Sequence, residues 1–335
     1  MREARRRKPV IPRKNMHAIL TVGRPSVVPV VAMPSLALAA WAAIVSGLYA
    51  LYGGKGGWLN GLPTSQLLIT LLGVVMGLLL VFRTNTAYDR FYEGRKTWAS
   101  VQSNLRSLAR LIWVGTLPKD EDQKVQRAGA MRLLIAFAAA TKHHLRNEGG
   151  NDFDDLAPFL DHIPAFALSS NDSNGSSSRA NAVSRASFKN ETEGTLPIDI
   201  VFHLQKYVTY IKNTGQIDAN VQLVASNHVN SLSDCISIFE RIRTTPIPVA
   251  YEYHLKQTLV VYLLSLPFQI VTTLQWYTIP ATLVAAFTMF GIEAIGGEIE
   301  NPFGYDANDL PQDEFVDSIR DEVLGMMGEA KRPAA

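Results

Sequence analysis

The strongest constraint on this chain lies between Leu67 and Trp98. LLITLLGVVMGLLLVF is apolar and uncharged, and it runs without a break into RTNTAYDRFYEGRKTW, which is dense in charge and aromatic rings. No proline interrupts the join, so the stretch reads as one helix. About 20 apolar residues suffice to cross a bilayer, and Arg83 marks the return to water. The prediction is a helix that spans a membrane and then builds something beneath it. Inside the span Val74, Leu78 and Phe82 recur every four residues and share one face. Gly73 and Gly77 lie beside that face, where small residues let helices approach closely.

Composition alone does not announce a membrane protein: 19% of the 335 residues are charged and the net charge is only +2. The distribution of charge carries the information. Residues 25–54 form a long uncharged run with Pro29 and Pro34 near its start and Trp41, Tyr49 and Tyr52 suited to interfacial or packing roles. A Gly-rich turn, GGKGGWLNGLPTS, leads to the helix described above. After Lys256 no charge appears until Glu293, which is length enough for two spans joined at LQWYTIP. Four spans follow, with both termini inside. Arg5, Arg6, Arg7 and Lys8 precede the first span, and Arg83, Arg90, Arg95 and Lys96 follow the second. The two outer loops carry only Lys55, in keeping with the excess of Lys and Arg on the cytoplasmic side. The basic N-terminus, which could also bind nucleic acid, is more simply an orientation signal. Residues 1–24 are then a basic cytosolic N-terminus and 25–98 the first two spans with a cytosolic extension. Residues 99–253 form a cytosolic helical region, 254–292 the third and fourth spans, and 293–335 an acidic cytosolic segment.

Within 99–253, VQSNLRSLARLIWVG and KVQRAGAMRLLIAFAAATKHHL repeat apolar residues at helical spacing. The adjacent His143 and His144 have no ligand set nearby and read as solvent or packing residues. Residues 147–195 are rich in Ser, Asn and Gly and read as a mobile, disordered insertion. Its glycosylation-type triplets at Asn171, Asn174 and Asn190 are idle on the cytosolic side. Further on, Pro246 and Pro248 stiffen the backbone around Ile247. Cys235 is the only cysteine, so an internal disulfide and a Cys-rich metal site are both excluded.

Three blocks, RTNTAYDRFYEGRKTW, RIRTTPIPVAYEYHL and FGIEAIGGEIENPFGYDANDLP, resemble the bestrophin family and its bacterial, plant and fungal relatives. The resemblance implies an all-α membrane protein whose four transmembrane helices continue into a cytosolic helical domain. It also implies assembly as a homopentameric, mostly anion-selective channel around a five-fold axis. Val74, Leu78 and Phe82 fall on the family's hydrophobic neck and Ile247 on its lower cytosolic constriction. Only one of the neck positions, Phe82, is aromatic here, and relatives with aliphatic necks include cation conductors. The family's calcium cluster falls on Asp306 and Asp309, with Glu298 in place of an amide residue. The alternative for this loop is a solvated acidic surface that docks on the basic N-terminus of a neighbouring subunit.

The function expected is therefore passive anion conduction, chloride above all, through a neck of apolar rings that gates by dewetting. Arg83 either places a ring of positive charge at the mouth of the pore, or serves as an interfacial anchor or as the ion-pair partner of Asp89 or Glu93. A cation channel of the same architecture and a non-conducting membrane scaffold are the competing readings. No nucleophile–base pair or phosphate loop points to an enzyme. The partners expected are the lipid bilayer, four further copies of the chain and permeant anions, with calcium as the one candidate cofactor and no nucleic acid. The plasma membrane is the expected location.

Overall fold

The computed structural model describes residues 27–52, 66–161 and 196–328, with side chains from Ile69 onward in the second stretch. The glycosylation-type triplets, the basic N-terminus and the Gly-rich turn lie outside these residues. Among the described residues all regular structure is helical: α1 (Val28–Tyr52), α2 (Gln66–Gly115), α3 (Glu121–Leu145), α4 (Ala157–Leu160), α5 (Leu196–Asn213), α6 (Ala219–Thr244), α7 (Val249–Leu274) and α8 (Thr278–Glu300), then α9 (Gln312–Met327). A short 3-10 turn, Gln275–Tyr277, joins α7 to α8. The helices fall into two compact units, and α2 runs through both.

The first unit holds the described residues up to Tyr92 together with Thr245–Asp309. Three stretches are long and apolar enough to cross a membrane: Val28–Tyr52, Ile69–Gly115 and Val249–Glu300. The last of these reverses on itself at Gln275, whose φ of 48° breaks the helix. Glu252 at the start of α7 and Glu293 late in α8 both lie within 4 Å of the same Arg83 guanidinium, so α7 and α8 are antiparallel. Leu38, Met76, Leu259, Leu263 and Ala286, one or two from each of the four helices, form the buried centre. Pro267 removes the N–H that would bond the Leu263 carbonyl. One residue on, the Trp41 indole donates to the Leu264 carbonyl at 3.2 Å, while its ring meets Phe268 edge-on. Trp41 thus takes the packing role of the two open to it.

The second unit comprises Glu93–Thr244 and the chain from Leu310. Its central helix is α3, buried from Gly129 to Leu145 except at Arg132. A helix apolar on all sides belongs in a core, and its run of alanines lets neighbours pack closely. Trp98, fully buried, sits between the rings of Phe239 (5.4 Å) and Phe315 (5.8 Å). The segment expected as a single acidic terminus divides, with Glu293–Asp309 in the first unit and α9 in the second.

The first part of the insertion expected from Asn147 is ordered. Residues 147–161 are packed: Leu156 and Leu160 are buried, and Phe153 stacks on His143 at 3.7 Å. Polar composition concealed this because the loop is held by ions. His143 lies between Glu148 (2.5 Å) and Asp155 (2.9 Å), and Lys142 reaches Asp155 at 2.5 Å and Asp313 at 2.9 Å. His143 is accordingly a buried part of an ionic cluster, and His144, buried as well, lies 3.3 Å from Glu240; neither faces solvent. The remainder of the insertion, 162–195, lies outside the described residues.

Candidate pore-lining face and the Arg83 cluster

Two opposite faces of α2 set the geometry of the site. Residues follow one another at about 100° around an α-helix. Met76, Leu80, Arg83 and Ala87 project to one side and are buried. Val74, Leu78 and Phe82 project to the other and are 58%, 53% and 62% exposed in the single chain. The stripe read from the sequence is therefore a continuous apolar surface that the other described residues do not cover. Gly73 serves a contact on another side: a Cβ there would lie 3.0 Å from the Tyr262 hydroxyl. Among the described residues nothing lies within 4 Å of the corresponding position at Gly77.

Arg83 is not on the exposed stripe. It is 2% exposed and points into a nest of carboxylates from α7 and α8: Glu293 at 2.9 Å, Glu252 at 3.7 Å and Glu300 at 3.7 Å. Lys256 joins through Glu252 at 2.6 Å and Glu293 at 3.6 Å. Burying a guanidinium is tolerable only with such compensation. Of the roles open to Arg83, ion pairing is the one observed, with partners other than Asp89 and Glu93. Glu93 instead pairs with Arg241. The reading of Arg83 as a free positive charge is not the one the described residues favour, since three carboxylates surround it. Sequence inspection missed Glu252, Glu293 and Glu300 because they flank spans, where charges read as boundary markers. Their one signal was position, as the ionisable groups bounding the apolar run.

The same cluster reaches the Pro246–Ile247–Pro248 corner. The Ile247 N–H donates to Glu300 Oε1 at 3.2 Å, and Arg90 donates to the carbonyls of Glu300 and Thr245. Ile247 itself is 8% exposed, whereas Pro246, Pro248 and Val249 are exposed. In the single chain the Ile247 side chain is buried rather than presented.

The Asp306–Asp309 loop is closed by its own bonds. Asp309 Oδ2 accepts the Asp306 N–H at 2.7 Å, and Asn308 donates to Glu298 at 2.6 Å. A Cβ at Gly304 would stand 2.8 Å from Asp309 Oδ2, so a larger residue there would have to push that carboxylate aside. Calcium takes six to eight oxygen ligands. Among the described residues no three His, Cys, Asp or Glu side chains converge as a metal set, and Asp309 Oδ2 is engaged by its own loop.

Long apolar helices, an uncovered apolar stripe on α2 and a charged cluster tucked behind it define an integral membrane protein built by helix packing. The chain belongs to the bestrophin family, matching the Bacterial/Fungal Bestrophin protein description over residues 8–325. It is similar to voltage-dependent anion channel-forming proteins of Nostoc sp., 40% identical over 270 residues covering 78% of each chain, and of Synechocystis sp., 39% identical over 247 residues covering 74% of this chain and 73% of that one. Among solved structures, a bacterial bestrophin homolog from Klebsiella pneumoniae shares the fold with a TM-score of 0.73 at 23% identity, over 90% of this chain and 100% of that chain.

Proposed function

We propose that the protein is a passive ion channel, not an enzyme, conducting anions such as chloride through a pore formed by five copies of the chain. The observation that carries the reading is the uncovered stripe of Val74, Leu78 and Phe82. One stripe cannot enclose a path, but five around an axis make three stacked apolar rings. Such rings offer an ion nothing in place of its water shell, so the neck conducts only when it widens or wets. The names of the Nostoc and Synechocystis relatives support anion as the permeant class and voltage as a stimulus. Four spans, α1, α2, α7 and α8, cross the plasma membrane with both termini in the cytosol, in keeping with the antiparallel α7–α8 hairpin and the even number of crossings. The lower constriction lies at the Pro246–Ile247–Pro248 corner.

The test is reconstitution. Purified protein in liposomes or planar bilayers should pass current in asymmetric KCl, with the reversal potential on the chloride side of zero. Absence of flux from intact oligomers would leave the scaffold reading standing. Mass measurement in detergent should give five chains, and a stable monomer or dimer would exclude the pore.

A further inference from the structure

The exposed face of α2 does not end at Phe82. Continuing at about 100° per residue, Asn85 and Asp89 fall within about 20° of the centre of the Val74–Leu78–Phe82 stripe. Both are exposed. The cations of this region are turned elsewhere. Arg83 lies about 140° from the stripe and Arg90 about 120°. Arg83 is enclosed by Glu252, Glu293 and Glu300, and Arg90 is engaged by backbone carbonyls. Asp89 takes part in none of these pairs. The next ionisable side chain on the line is the exposed Lys96, about 10 Å farther along at 1.5 Å per residue. The first charge beyond the apolar stripe on its own face is thus a carboxylate, about 10 Å past Phe82.

Resting on the reading of this face as pore lining, we propose that Asp89 is a charge-selectivity residue: five copies form a carboxylate ring below the neck that draws cations in and lowers the preference for anions. Acidic rings select cations in channels, and a charged, low-dielectric constriction raises the local concentration of the opposite ion. The ring acts through space and leaves the neck's wetting untouched. Its influence therefore weakens as added salt shortens the screening length.

The experiment is the reversal potential of the purified channel in a KCl gradient, for wild type, Asp89→Asn and Asp89→Glu. Asp89→Asn should raise the chloride-to-potassium permeability ratio severalfold, moving the reversal potential toward the chloride equilibrium value. Asp89→Glu should keep the wild-type ratio, and the difference between wild type and Asp89→Asn should shrink as total salt rises at a fixed gradient. Asp122→Asn, an exposed carboxylate at the start of α3, should change nothing. Conducting Asp89→Asn channels with the wild-type ratio would overturn the proposal while leaving the channel reading intact. A wild-type protein that passes no current would instead overturn the channel reading, and this proposal with it.

Discussion

Arg83 holds a full charge with 2% of its surface exposed, and the balance around it is uneven. Three carboxylates face two cations, Arg83 and Lys256. Removing one partner from a buried ionic group strands the others and costs about 3 kcal/mol or more. Arg83→Gln should therefore lower the thermal stability of the detergent-solubilised oligomer sharply, while the sign of the reversal potential stays as in the wild type. The opposite pattern, an unchanged melt with a shifted reversal potential, would mean that Arg83 faces the ion path after all. Ile247 makes a similar distinction. Truncating a buried Ile to Ala costs about 2–5 kcal/mol, so Ile247→Ala should destabilise the fold. It should also alter permeability ratios among anions of different hydration, because the corner it shapes would relax. If only the melting temperature falls, Ile247 is a packing residue.

At the scale of the element, α2 gathers most of the argument. Replacing Val74, Leu78 and Phe82 together with Ala removes the proposed apolar rings but keeps the helix, since Ala is the best helix former. Single-channel recording should show a large rise in open probability, with selectivity changing less. An intact triple variant with wild-type gating would place the stripe against lipid or protein. This helix was also the most legible part of the chain. Its length followed from the absence of proline, and its exposed stripe from a spacing of four. What could not be read was the opposite face. Arg83 meets Glu293 across 210 residues of sequence, and no local pattern announces a contact at that separation. The 147–161 loop was misread for a related reason. Its polar residues match those of an unstructured segment, and only the partners at Lys142, His143 and Asp313 turn them into anchors. Phe153, Leu156 and Leu160 were the apolar hints within it.

At the scale of the whole molecule, the ionic groups of the second unit make stability depend on pH in two separate windows. Burial would push the Asp155 carboxyl up, but hydrogen bonds from His143 and Lys142 outweigh it and hold the group far below the usual range. Burial opposes the same effect at Asp313, where Arg146 and Lys142 bring the carboxyl down to about 2. Carboxyls lowered in the fold stabilise it above their unfolded value of about 3.9, and this is lost as pH falls toward the folded value. The Asp313 side chain is 60% exposed, so screening leaves about 1 kcal/mol of its share. Burial, then the nearby Arg243, lower His144. Its contribution is complete above about 6.5 and declines as pH drops below that. Thermal melts should thus weaken first below about pH 6.5 and again below about pH 4. His144→Gln should flatten the first decline, and Asp155→Asn with Asp313→Asn the second. A melt independent of pH from 7 to 3 would contradict both assignments. The Arg83 cluster has a further consequence, in the order of synthesis. Arg83 leaves the ribosome long before Glu252, Glu293 and Glu300 exist. For that interval it is a lone cation at the end of an apolar helix, the kind of charge that holds a span's end on the cytoplasmic side during insertion. Only when α7 and α8 arrive is that charge paired, so on the proposed topology one side chain first orients the growing chain and later locks the finished one.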